Sequence, residues 1–151
     1  MKKVPVSVLV VIHDVKLNIL LLERADRSGF WQSVTGSLDH IEENLLEAAK
    51  RELYEETGLE MYRYQYLDWD LSRTFEIYDH WRFKYDLGVK YNKEFVFSIC
   101  LPAKQQIRIS EREHISYDWF SCTEAAAKCF SWTNRLAITE LPKRFSSGKY
   151  R

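Results

Sequence analysis

Between Gly36 and Leu59 the chain reads GSLDHIEENLLEAAKRELYEETGL, and this stretch limits what the remainder can be. Leu45, Leu46, Ala49 and Leu53 recur at spacings of three and four, the period of a helix with one apolar face. Gly58 stands where a left-handed C-terminal cap would end that helix. Glu52, Glu55 and Glu56 share a second face that adjoins the apolar stripe without belonging to it. Like charges so placed repel by about 0.2–0.5 kcal/mol per pair, and the C-terminal end of the helix dipole disfavours them further. A chain shaped only by stability would carry Lys or Arg there. One explanation is a solvated acidic face with Arg51 pairing Glu55 at i,i+4. The other is a site for a hard divalent cation, Mg2+ first, which takes carboxylate oxygens and leaves room for water and phosphate.

The wider pattern favours the cation. Gly36 is followed by Glu43, then seven residues, then Arg51-Glu52-Leu53-x-Glu55-Glu56-x-Gly58-Leu59. This resembles the Nudix box, the loop–helix–loop signature of hydrolases acting on nucleoside diphosphates linked to another group. One spacing departs. Six residues separate Gly36 from Glu43, one more than the family pattern, and the extra residue reads as a loop insertion around Asp39–Ile41. That choice keeps a helical register from Glu43 to Glu56; Glu42 would restore the front spacing but lengthen the back.

Composition excludes several classes. The length of 151 residues suits one domain, 1–151, with a proper core, and 46% apolar residues argue against disorder. Basic and acidic residues balance at 22 each, which argues against a nucleic-acid surface driven by bulk charge. No apolar run approaches the ~18 residues of a membrane span. The start, MKKVPVSVLVVIHD, looks briefly like a signal peptide, but Pro5, Ser7 and its β-branching make it a strand. Cys100, Cys122 and Cys129 are odd in number and lack CxxC spacing, as expected for reduced thiols in a cytoplasm.

Along the chain, Val6 to Ile12 reads as a strand buried on both faces, and Ile19 to Glu23 as its hairpin partner. Arg24 follows in a charged segment where a plain surface arginine is the simplest reading. Trp31-Gln32 could border a pocket, although an aromatic at a strand start is more often core. Met61–Tyr66 and Arg73–Tyr78 read as strands with aromatic alternation. Residues 79–86, DHWRFKYD, interleave bases and aromatics, which suits stacking on a flat heterocycle and equally a two-faced strand. Glu94 to Leu101 is a strongly apolar strand, Ile107 to Ile109 a short one, Glu111 to His114 a charged loop, and Tyr117 to Phe120 a further strand. Thr123 is placed to cap a helix Glu124–Cys129, and a second helix runs from after Ser131-Trp132 to about Leu141.

Strands on both sides of a central helix, with helices at the end, predict an α/β fold with a mixed sheet sandwiched between helices (α/β/α). The Nudix resemblance implies the same architecture. It also reaches beyond the box: VPVS (4–7), FWQSVTGS (30–37), FEIYDHWRFKY (75–85), EREHISYDWF (111–120) and SWTNRLAI (131–138) together look like the bacterial subfamily that hydrolyses dihydroneopterin triphosphate in folate synthesis. The resemblance implies Mg2+ (Mn2+ able to substitute) held by Glu52, Glu56 and Glu113, with Glu113 as ligand or base, Glu55 completing the cluster and Arg51 holding it. It implies substrate contacts from Lys3, Arg24, Thr35, Phe75, Glu76, Ile77, Tyr78 and Ser131, with Lys3 and Arg24 on phosphate and Phe75 and Tyr78 flanking the pterin. His114 is the alternative base, though a histidine in a charged loop is more often solvated. Three rivals stay open: a dATP-type Nudix pyrophosphohydrolase, a non-catalytic Nudix-fold binding module, and a single-strand binder using residues 80–85. The partner expected is a small-molecule triphosphate, with no nucleic acid and no membrane; the sequence does not fix the oligomeric state.

Overall fold

The computed structural model describes residues 1–151. Its central strand is β1 (Val6–Asp14), whose continuous apolar run has a simple origin. Successive side chains point to opposite faces of a strand. Val8, Val10 and Ile12 enter one core and Leu9 and Val11 enter another, so both faces of β1 are covered. The first core lies under α1 (Leu45–Thr57), which contributes Ala48, Ala49 and Leu53. The second lies under α2 (Cys122–Lys128) and α3 (Trp132–Ser146), which contribute Ala125, Ala137, Ile138 and Leu141. The result is the expected α/β/α sandwich.

The sheet has seven strands and mixed direction. β2 (Ile19–Arg24), β3 (Trp31–Gln32) and β4 (Val34–Ser37) follow β1; β5 (Gln65–Glu76), β6 (Tyr91–Leu101) and β7 (His114–Phe120) come after α1. β6 lies parallel to β1 from Val6 opposite Lys93 to Asp14 opposite Leu101, and β5 covers its outer edge. The other edge of β1 is divided. β4 pairs with its first half, Ser7 to Val10, and β2 with Ile12 and His13 before turning away to meet β3 and β7. Arg24, at the end of β2, and Thr35, within β4, therefore stand on strands that share one edge of β1. No helix is long and apolar enough to cross a membrane.

Several local expectations are corrected. α1 starts at Leu45 with Asn44 as its cap, the Asn44 side chain accepting from the Glu47 N–H at 3.0 Å, so Glu43 lies outside the helical register. Gly58 does end the helix, at φ 74°, donating to the Tyr54 carbonyl at 2.8 Å. Met61–Arg63 is a 3-10 turn, and the strand expected from Arg73 begins at Gln65. An irregularity between Asp68 and Ser72, with Asp70 at φ 51°, breaks the alternation that would have revealed one long strand. Asp79–Lys84 is a 3-10 helix, not a two-faced strand. Ile107–Ile109 forms no strand. Ser121, not Thr123, caps α2 through a box with Glu124, and α3 runs past Leu141 through Pro142 to Ser146.

Candidate active site

The acidic face of α1 is buried at two of its three glutamates. Glu52 is 7% exposed and Glu56 1%, whereas Glu55 faces solvent. Arg51 ties this region together, but chiefly through partners other than Glu55. Its Nε and Nη2 donate to the two Glu43 oxygens at 3.1 and 3.0 Å, and its Nη1 to Glu52 Oε1 at 2.8 Å; Glu55 stands at 3.5 Å. Glu43 also accepts the Asp39 N–H at 2.8 Å, so the loop with the extra residue is clamped at both ends. The Arg51 guanidinium beside Glu43 holds that carboxyl below its usual range.

Burial pushes the opposite way on Glu52 and Glu56, and both are raised well above an ordinary glutamate. Glu56 Oε1 lies 2.9 Å from His114 Nε2, and both side chains are buried. Glu56 Oε2 and His114 Nδ1 have no hydrogen-bond partner. Glu56, Glu113 and His114 each bring a ligand atom within 4.8 Å of the others. Two buried carboxylates, an unpartnered carboxylate oxygen and a third glutamate at hand form an oxygen-rich donor set that fits a hard divalent cation. The charged-loop reading of His114 is thus corrected: the residue opens β7, which carries its ring inward against Glu56.

A basic junction adjoins the acidic cluster. Lys3, Arg24 and Lys84 line both the acidic recess and a neighbouring cavity of about 440 Å³. Arg24 is no plain surface arginine. Its side chain is 19% exposed, donates to both Asp26 oxygens at 2.8 Å and to Gln32 Oε1 at 3.1 Å, and stacks over Trp81 at 4.3 Å. Asp26 also accepts from Trp81 Nε1 at 3.1 Å and sits 3.7 Å from Lys84 Nζ; the Arg24 hydrogen bonds hold its carboxyl far below the usual range. Burial, with Lys3 and Arg24 nearby, lowers Lys84. The backbones meet as well, the Lys3 N–H donating to the Lys84 carbonyl at 2.8 Å.

The cavity itself is walled by rings. Phe75, Tyr78, Trp81 and Phe130 line it, with Tyr78 and Trp81 tilted at 33° and 5.6 Å apart and Phe130 edge-on to both. Tyr78 donates its hydroxyl to the Phe130 carbonyl at 3.1 Å, which fixes the ring against the start of α3. All eight expected substrate residues, Lys3, Arg24, Thr35, Phe75, Glu76, Ile77, Tyr78 and Ser131, line this cavity. Their own commitments differ. The Thr35 hydroxyl donates to the Val8 carbonyl at 3.0 Å, Ser131 caps α3, and Glu76 lies 3.6 Å from Arg82. Arg51, Glu52, Glu55, Glu56 and Glu113 line the acidic recess.

Sequence reasoning missed Lys84 and Trp81 as individual residues, although the basic–aromatic run that holds them was noted. It gave no role to Asn92, Glu94 or Asn134, which also line the cavity. Trp31 and Gln32 divide: Trp31 packs against the second core, and Gln32 lines the cavity.

The NUDIX domain model matches residues 3–141, nearly the whole chain. The chain belongs to the Nudix family. The Gly36–Leu59 segment, which resembles the Nudix box, supplies Gly36, Arg51, Glu52, Glu55 and Glu56 to the acidic recess. Among Nudix relatives, the chain is 43% identical to dihydroneopterin triphosphate diphosphatase of Escherichia coli K12 over 91% of this chain and 92% of that one. It is 36% identical to the Haemophilus influenzae enzyme of the same name, over 87% and 84%. The solved E. coli dihydroneopterin triphosphate pyrophosphohydrolase superposes with a TM-score of 0.87 at 39% identity, over 93% of this chain and 96% of that one.

Proposed function

We infer that this Nudix chain hydrolyses dihydroneopterin triphosphate to dihydroneopterin monophosphate and pyrophosphate, with Mg2+ as its metal and Mn2+ able to replace it. One observation carries the reading: the ring-walled cavity and the acidic recess share Lys3, Arg24, Gln32, Thr35, Gly36, Ser37 and Lys84. A single trough therefore offers, in order, a seat for a flat heterocycle, cations for phosphate and carboxylates for a metal. The names of the two relatives and of the solved structure point to the same substrate.

In this reading Glu52, Glu56 and Glu113 hold the cation, which supplies neutralisation of phosphate charge and Lewis acidity when bound. The remaining work belongs to the chain. Arg51 fixes Glu52, and His114 fixes Glu56 from the opposite side. Lys3, Arg24 and Lys84 balance the phosphates and the departing pyrophosphate. Phe75, Tyr78 and Trp81 hold the pterin so that its α-phosphorus reaches the acidic end. Water attacks that phosphorus, the bond to the bridging oxygen breaks, and pyrophosphate leaves with the bond's electron pair. Glu113 takes the water's proton, being exposed and next to His114. His114 is the poorer base, since its Nε2 is engaged by Glu56 and its ring is buried. Cys100, Cys122 and Cys129 are all free thiols, which suits a reducing cytoplasm.

The test is kcat/KM for pyrophosphate release with Mg2+, comparing dihydroneopterin triphosphate with dATP and the other nucleoside triphosphates. An advantage of about tenfold or more for the pterin, roughly 1.4 kcal/mol at the transition state, is expected. A nucleotide preference would keep the chemistry and overturn the substrate.

A further inference from the structure

The cavity has polar residues that the hydrolysis does not use. Asn92 and Glu94 alternate with Phe95 and Phe97 along β6 and so share the face that α3 covers. Asn92 is 1% exposed and Glu94 4%, and both line the cavity. The Asn92 amide donates to Ser7 Oγ at 2.7 Å, while its Oδ1 has no partner. Glu94 Oε1 has none either. Nearby Asn134 cannot serve them, because its Oδ1 accepts the Ser33 N–H at 2.8 Å and its amide donates to Ser33 Oγ at 3.0 Å.

Leaving a buried acceptor without a donor is costly, more so for a charged one. The Thr133 hydroxyl offsets part of that cost at Glu94, and so does the attraction of Arg73, which stands across the β5–β6 pair. Its Nη2, however, is bound to Glu140 at 2.6 Å, and its buried Nη1 has no hydrogen-bond partner, Glu94 included. Arg73 also leaves the Asn92 oxygen unexplained. Two acceptors without donors, in a cavity walled by aromatic rings, are complementary to a flat ring that carries N–H groups along one edge.

We propose that Glu94 is a specificity-determining residue whose carboxylate, with the Asn92 amide oxygen on the same face, receives the N–H-rich edge of a 2-amino-4-oxopyrimidine ring. This deepens, and rests on, the pyrophosphohydrolase reading. Pterins and guanine present a ring N–H beside an exocyclic amine on that edge. Adenine presents one amine beside a ring nitrogen lone pair, which would face the carboxylate. A site built to accept from N–H groups rejects rings that lack them, because its own oxygens then stay unpaired. Burial raises Glu94 to about 7, so at mildly alkaline pH the group is an anion with acceptors only.

The test is calorimetric binding of dGTP and dITP, which differ by the 2-amino group alone, with Ca2+ in place of Mg2+ to slow turnover. In the unmodified enzyme dITP is expected to bind about tenfold or more weakly. In Glu94→Gln the two should bind within about twofold, while inorganic triphosphate, which reads only the phosphate end, binds as before. Equal binding of dGTP and dITP to the unmodified enzyme would overturn the proposal whether or not the variant folds, as would an undiminished ratio in the variant. A sound dGTP:dITP ratio without turnover of dihydroneopterin triphosphate would support Glu94's role and remove the pterin substrate instead.

Discussion

Gly36 and Glu52 are so close that a Cβ placed on Gly36 would overlap the Glu52 carboxyl group. The glycine is required here for space, not for backbone freedom, since its φ is not among the positive ones. β4 and α1 approach at this point, and the missing side chain lets Glu52 lie over the strand with Arg51 holding one oxygen.

Gly36→Ala therefore displaces the Glu52 carboxyl while leaving both cores untouched. A loss of turnover of about 10²-fold or more is expected, of the size seen when one transition-state contact is removed. Thermal unfolding should move by only a few degrees. Steady-state kinetics beside a melting curve checks this, and full activity would show that Glu52 need not sit where it does.

Glu56→Gln keeps shape and removes one buried charge. Turnover should fall by orders of magnitude, about 10³-fold or beyond. Folding stability should hold or rise, because a carboxylate raised by burial stops opposing the folded state. Near-normal activity would remove Glu56 from the metal set. Glu113→Gln should slow turnover too, and if it does not, another group takes the proton.

Glu94 sets a pH dependence of stability. Its folded pKa, about 7, lies above its ordinary value of 4.5, so the folded state binds the extra proton between those limits. Its contribution is complete below pH 4.5, falls as pH rises to about 7, and stays flat above that. The stability of Glu94→Gln relative to the unmodified chain should therefore rise by roughly 2–3 kcal/mol between pH 4.5 and 8. Urea unfolding at several pH values measures the difference, and a constant gap would mean that Glu94 titrates normally.

The box helix was legible because its signals are local. Leucine periodicity, a glycine stop and the order of Arg51, Glu52 and Glu56 all lie within one short segment. β1 was legible for the same reason, its unbroken apolar run stating that both faces are covered. What escaped depends on distant neighbours. His114 sits in a charged run, and only the pairing of β2 with β7 turns it inward to Glu56. Glu94 reads as the start of an apolar strand, where a charge looks solvated, but β6 begins at Tyr91 and Glu94 is buried beside the start of α3. β5 reads as parts of two strands, Met61–Tyr66 and Arg73–Tyr78, because the irregularity near Asp70 interrupts its alternation. Asp79–Lys84 has the composition of a strand and becomes a 3-10 helix that carries Trp81 to the Arg24 guanidinium.

The central assignment is that the pterin occupies the aromatic cavity while its phosphates run past Lys3, Arg24 and Lys84 to the carboxylates. Phosphorus NMR of the products from dihydroneopterin triphosphate and Mg2+ tests it most directly. Equal amounts of pyrophosphate and dihydroneopterin monophosphate are predicted, as cleavage at the α-phosphorus requires. Orthophosphate with the diphosphate, or an unchanged substrate, would contradict it.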